Sequence, residues 1–77
     1  MRLADKRAFV TGGRQGIGLG IVNAFLAEGA VVTTCGRGAR PDDLPQNVTW
    51  FELDVSDTAD VGRVSAEIGK IDILVNN

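Results

Sequence analysis

Three glycines spaced Gly12-x3-Gly16-x-Gly18 follow a short apolar run and open a helical one, in the stretch FVTGGRQGIGLGIVNAFLAEGA at residues 9–30. Glycine weakens helices and strands alike, so its concentration at a strand-to-helix junction has a geometric reason. A helix N-terminus there offers unpaired backbone N–H groups and about half a unit of positive charge, which suit a phosphate when no side chain stands in front of them. Gly12 permits the tight turn out of the strand; Gly16 and Gly18 let a diphosphate approach and let the helix pack closely on the sheet. Rival phosphate loops fit less well. Gly13 and Gly18 have the spacing of a Walker A loop, but Leu19 and Gly20 follow where Lys and Ser/Thr would grip a γ-phosphate or magnesium. The fingerprint G-x-G-x-x-G is not matched from Gly12 either; the chain carries a longer turn, T-G-x3-G-I-G.

A dinucleotide site that prefers NAD places an acid at the end of the second strand, about 20 residues beyond the glycines, to bind ribose hydroxyls. The corresponding window, residues 34–40, reads TCGRGAR and holds no acid and two arginines. A 2′-phosphate would be repelled by an acid and paired by Arg37, with Arg14 in the glycine loop as a second contact. NADP is therefore expected in preference to NAD.

The elements that must position these residues follow from periodicity. Residues 7–11 (RAFVT) read as a first strand. Residues 16–28 read as a helix, with Ile17, Ile21, Ala24 and Phe25 on one stripe, widened by Val22 and Leu26. Gly29 suits the left-handed position past its end. Residues 30–35 (AVVTTC) are β-branched and continuous, as in a strand covered on both faces. Residues 36–47 carry both prolines and read as a loop, and residues 48–53 (VTWFEL) as a third strand. Ser56 stands where an N-cap belongs, with Asp57 and Asp60 near the positive end of a second helix whose apolar face is Val61, Val64 and Ile68, and which Gly69 ends. Residues 71–75 (IDILV) make a fourth strand. The order β-α-β-β-α-β predicts an α/β domain with a parallel sheet covered by helices.

Composition sets bounds around this. At 77 residues the chain is at most one small domain, with 44% hydrophobic and 23% charged residues, the profile of a soluble globular protein. Eight basic and ten acidic residues are mixed along the chain, so no basic patch suggests nucleic acid and no basic amphipathic helix suggests a membrane. One cysteine, Cys35, excludes an internal disulfide and fits a reducing compartment. The N-terminal residues lack a signal-peptide core, so a cytoplasmic location is expected. The sequence stops on an apolar strand, which would leave an unpaired edge, so it is expected to be the N-terminal part of something longer and marginally stable as a free piece.

TGGRQGIG (residues 11–18), LDV (53–55) and ILVNN (73–77) together resemble, in order and spacing, the N-terminal part of the classical short-chain dehydrogenases/reductases. The resemblance covers essentially the whole chain. It implies a Rossmann-type doubly wound parallel sheet with strand order 3-2-1-4 and the cofactor at the switch point between strands 1 and 4. It implies that the glycine loop, with Gly12, Arg14, Gln15, Gly16, Ile17 and Gly18, holds the cofactor diphosphate. It also implies that Asp54 and Val55 line the adenine pocket, and that Asn76 and Asn77 begin an N-N-A-G motif bordering the cofactor ribose. NAD-preferring members usually carry an acid where this chain has Gly36, and basic residues are frequent at the position of Arg37 in NADP-preferring ones. The family's chemistry uses a Tyr and a Lys four residues apart with a Ser and an Asn, all downstream of N-N-A-G. This chain has no tyrosine and no histidine, and Lys70 is misplaced for that role, so no residue is assigned to catalysis.

The resemblance thus implies the cofactor-binding part of an NADP(H)-dependent oxidoreductase interconverting an alcohol and a carbonyl, commonly a homo-oligomer, tetramer or dimer. The alternative is a non-catalytic dinucleotide-binding module, or a fragment that needs a partner chain. Asp54 could otherwise simply start a turn, and Cys35 and Trp50 read as core residues.

Overall fold

The computed structural model describes residues 2–12, 16–54 and 56–76. Six elements run in the order β1 (Arg7–Thr11), α1 (Gly16–Ala27), β2 (Val31–Gly36), β3 (Thr49–Glu52), α2 (Thr58–Ile68) and β4 (Ile73–Val75). All pairings are parallel and the sheet order is β3-β2-β1-β4, as expected. Parallel pairing puts the C-terminal ends of every strand at one edge of the sheet.

Alternation along the strands divides the core between two faces. Ala8, Val10 and Val32 point toward α1, where they meet Val22, Ala30 and the loop residues Leu44 and Val48. Cys35 and Leu53 point the other way, toward Val64 and Ile68 of α2, with Phe9, Phe51 and Ile71 beside them. One helix lies on each face of a sheet whose strands read as apolar runs, with Leu74 of β4 left exposed on the α2 face.

The packing stripe of α1 differs from the periodicity reading. Gly18 and Val22 are its buried residues, whereas Ile17 is 78% exposed and Ala24 also faces outward. The stripe centres on Gly18 and Val22, one turn apart, where the missing side chain of Gly18 suits close approach to the sheet. Of the expected stripe, Ile21, Val22, Phe25 and Leu26 do pack there, beside Leu19. The start of α2 differs too. Its N-cap is Asp57, whose carboxylate accepts from the Ala59 and Asp60 amides at 3.1 and 3.2 Å. Ser56 instead donates both its amide and its hydroxyl to Asp54, so it is spent on the preceding turn. Gly29 and Gly69 end the two helices, as expected, with φ of 88° and 72°, values that favour glycine; Gly69 has ψ of −133°, outside the usual left-handed helical cap.

Strand limits shift for identifiable reasons. The Ala30 amide bonds to Phe25, so Ala30 belongs to the helix end, and the Val48 amide bonds to Pro45 within a turn. Asp72 uses its side chain in place of a ladder rung: the Arg7 amide donates to its carboxylate at 2.9 Å while its own amide donates to the Arg7 carbonyl at 2.8 Å. The Arg7 guanidinium in turn donates to the Ile68 carbonyl at the end of α2.

Val22 is wholly buried, so Val22→Ala should cost about 2 kcal/mol in the intact protein that carries these residues. Ala24→Glu, on the exposed side, should stay within about 0.5 kcal/mol. Urea unfolding of the two variants checks this; equal costs would restore Ala24 to the packing stripe.

Candidate cofactor site

At the C-terminal edge of the sheet the chain forms a cleft of ≈ 190 Å³ lined by Thr11, Gly12, Cys35, Gly36, Arg37, Leu53 and Asn76. Every strand end contributes. Gly12 closes β1 with φ of 67°, and Gly16 opens α1 with φ of 61°. Both values lie in the left-handed region that disfavours side chains. A Cβ built on Gly16 would meet nothing within 4 Å, so its backbone conformation and not crowding is what favours glycine there. No acidic residue occupies the first turn of α1, which leaves the positive end of its dipole uncompensated by the helix itself. These features fit a diphosphate. Of the other loop residues, Ile17 stands exposed on the first turn and Gly18 is buried against the sheet; Arg14 and Gln15 lie outside the described residues.

Beyond β2 the two arginines of the 34–40 window part company. Arg40 is a structural clamp: its guanidinium donates to the carbonyls of Val48 (2.6 Å), Leu44 (3.4 Å) and Pro45, tying the long loop to the foot of β3. Arg37 lies at the cleft, its side chain 78% exposed, and its guanidinium reaches Asp54 at 3.4 Å. The loop's polar backbone groups thus account for Arg40, the arginine of the window with no expected site role.

Asp54 sits just past β3 and is tightly engaged. Ser56 donates its hydroxyl at 2.6 Å and its amide at 2.9 Å to the same carboxylate oxygen. Those two bonds, with the Arg37 charge, hold its carboxyl below the ordinary carboxylate range. The Asp54 amide meanwhile donates to Asp60. Asp54 therefore does start a turn, and its carboxylate also faces Arg37. Val55 lies outside the described residues.

On the other side of β1, the Thr11 hydroxyl donates to the Val75 carbonyl at 3.4 Å and to the Asn76 side-chain oxygen at 3.3 Å, tying the ends of β1 and β4 together. Asn76 lines the cleft through this contact; Asn77 lies outside the described residues. Cys35 is 1% exposed, and burial pushes its thiol above the ordinary value, so it packs as a small hydrophobe. No group of residues suited to a metal ion occurs among the described residues.

A second groove of ≈ 330 Å³ adjoins the cleft between α2 and β4, lined mainly by Phe9, Leu53, Val61, Ile71 and Leu74, with Leu74 64% exposed. The periodicity reading set Val61 on the packing face of α2, whereas Val61 is 36% exposed at the rim of this groove. No helix among the described residues is long and apolar enough to cross a membrane.

Three carboxylates are held low in the folded chain: Asp54 by Ser56, Asp60 by Arg63 and Asp72 by the Arg7 amide. Each binds a proton less readily folded than unfolded. Their stabilisation is therefore complete above the unfolded carboxylate pKa of about 3.9 and is lost as pH falls through the lower folded values. Thermal unfolding should show a flat Tm contribution from these groups between about pH 7 and 5 and a decline below about pH 4. Asp72→Asn should make that decline shallower; an unchanged slope would deny Asp72 its part.

The short chain dehydrogenase family profile matches residues 6–77. Galactitol 2-dehydrogenase of Agrobacterium fabrum is 41% identical over all of this chain, which covers 34% of that protein. L-xylulose reductase of Bos taurus is 38% identical, again over all of this chain and 33% of the relative. The chain thus spans about a third of the length of the relatives it matches. Among solved structures, a short chain dehydrogenase/reductase family protein superposes with a TM-score of 0.91 at 36% identity over all of this chain and 35% of its own length. A short chain dehydrogenase from Leptospira borgpetersenii, described with bound NAD+, shares the fold at a TM-score of 0.81 and 23% identity, covering 97% of this chain and 32% of that one. With the glycine turn, the strand order and the sequence match all in agreement, this chain belongs to the short-chain dehydrogenase/reductase family of oxidoreductases.

Proposed function

We propose that this chain is the N-terminal, cofactor-binding part of a single Rossmann domain in a longer NADP(H)-dependent oxidoreductase that interconverts an alcohol and a carbonyl. The observation that carries the cofactor choice is the end of β2, where Gly36 offers no carboxylate and Arg37 stands at the cleft. An arginine fork pairs a phosphate dianion in two directions, whereas ribose hydroxyls call for a carboxylate. The names of the relatives, dehydrogenase and reductase, support the two directions of such a reaction.

When bound, the cofactor supplies the hydride donor or acceptor. This chain's residues do the holding. The α1 N-terminus, with Gly12, Gly16 and Gly18, receives the diphosphate, helped by Arg14, Gln15 and Ile17 from the same loop and first turn. Arg37 turns from Asp54 toward the 2′-phosphate, and Asp54 with Val55 borders the adenine. Asn76, held by Thr11, and Asn77 border the ribose nearer the nicotinamide. Proton transfer falls to residues beyond this stretch, since no tyrosine or histidine occurs within it. The apolar groove beside β4 supports further chain packing there. A cytoplasmic enzyme with neither nucleic acid nor membrane as partner fits the mixed charge and the single buried cysteine. A small-molecule substrate and homo-oligomeric assembly rest on the family resemblance.

Titration of the intact protein with NADPH and NADH tests this reading. NADPH should bind more tightly, and Arg37→Ala should weaken NADPH about tenfold or more while leaving NADH within about threefold. Equal losses for both cofactors would remove Arg37 from the 2′-phosphate. Turnover of a panel of ketones by the same sample separates an enzyme from a module that only binds.

A further inference from the structure

Gly36 is a glycine whose backbone does not need to be one. Gly12, Gly16 and Gly38 all have positive φ, but Gly36 does not; it is an ordinary extended residue paired with Glu52 at the end of β2. Its reason is space. A Cβ built on Gly36 would lie 2.6 Å from Cη2 of Trp50, with Cζ2 and Cζ3 of the same ring at 3.4 and 3.5 Å. Cβ atoms do not approach that closely, so the ring edge fills the volume a side chain at position 36 would need.

The placement of the ring follows from register. Trp50 pairs with Thr34, two residues before Gly36, so all three share one face of the sheet. The indole leans toward the C-terminal edge and covers the glycine. It is also held at two points. Its apolar body packs on the core cluster around Val32 and Val48, and its Nε1–H donates to the Gly38 carbonyl at 3.2 Å. Swinging the ring aside to admit a side chain would cost both contacts. The same hydrogen bond fastens the turn that carries Arg37.

We propose that Trp50 is a positioning residue for cofactor choice: its indole closes position 36 to the carboxylate that would grip ribose hydroxyls and fastens the turn that carries Arg37 at the cleft. This rests on the NADP(H) reading above and adds to it a residue on a different strand, which touches neither cofactor phosphate nor reacting atoms. The glycine and the tryptophan form one unit. Replacing Gly36 alone by an acid therefore does not recreate an NAD site, because the acid meets the ring.

A four-member cycle in the intact protein tests the coupling: wild type, Gly36→Asp, Trp50→Val and the double variant. Each is titrated with NADH and NADPH by nicotinamide fluorescence, with Tm measured alongside. Gly36→Asp alone should bind both cofactors poorly, and the double variant should bind NADH about tenfold more tightly than Gly36→Asp does. Gly36→Ala guards against a fold failure of the aspartate variant. It should lower Tm by about 3 °C or more with Trp50 present and by much less in the Trp50→Val background. Additive effects throughout, with the wild type still preferring NADPH, would overturn the role of Trp50 while leaving the proposed function intact. A wild type that binds NADH more tightly would overturn the cofactor reading itself, and this proposal with it.

Discussion

Strand β1 hydrogen-bonds in parallel to β2 on one side and to β4 on the other, and the site depends on that shared direction. Parallel neighbours release their chains at the same edge, so the turn after β1, the arginine after β2, the aspartate after β3 and the asparagine after β4 converge there. β1 is also the strand where the order reverses, with β2 and β3 on one side and β4 on the other. Helices then leave the sheet in opposite directions, α1 covering one face and α2 the other. A crevice is the geometric result of such a reversal in an open α/β sheet, and it opens at the carboxyl ends of the strands.

The alignment is held by polar bonds at both ends of β1. At its start, Arg7 and Asp72 exchange two backbone-directed hydrogen bonds and the Arg7 guanidinium caps the last carbonyl of α2. At its finish, Thr11 bonds the end of β4. Between them, the buried Thr34 hydroxyl donates to the Val10 carbonyl at 2.6 Å, so a polar group inside the sheet is paired where an unpaired one would be costly. Register errors of one residue would send Val10 and Val32 to the wrong face and would break these bonds at the same time.

Much of this was legible in the residues because it rests on local rules. Glycines with positive φ, β-branched runs and helix-ending glycines each act within a few positions, and they place all six elements. What escaped depends on competition between neighbours. Ser56 and Asp57 are both good N-caps, and Asp54 decides between them by accepting two bonds from Ser56. Ile17 has the right period for the packing stripe of α1, but it lies on the first turn, 78% exposed, while the helix buries Gly18 and Val22. Arg37 stands out in the 34–40 window, but the use of Arg40 is not visible there; the carbonyls of the 41–48 loop, with its two prolines and turns, show why it is consumed. Trp50 reads as core, and it is core on one edge; that its other edge fills position 36 follows from a diagonal register across two strands, which no local pattern encodes.

The electrostatics of the cleft turn on a weak bond being adequate. Arg37 and Asp54 face each other at 3.4 Å with side chains 78% and 43% exposed, and such pairs contribute little because water screens them. Asp54 does not depend on Arg37, since Ser56 donates to it twice. The Arg37–Asp54 pair therefore separates at small cost. A phosphate dianion offers the guanidinium a second charge and a bidentate geometry that a carboxylate already occupied by Ser56 does not. On the proposed NADP(H) reading, exchange of one partner for the other needs no rearrangement of the sheet.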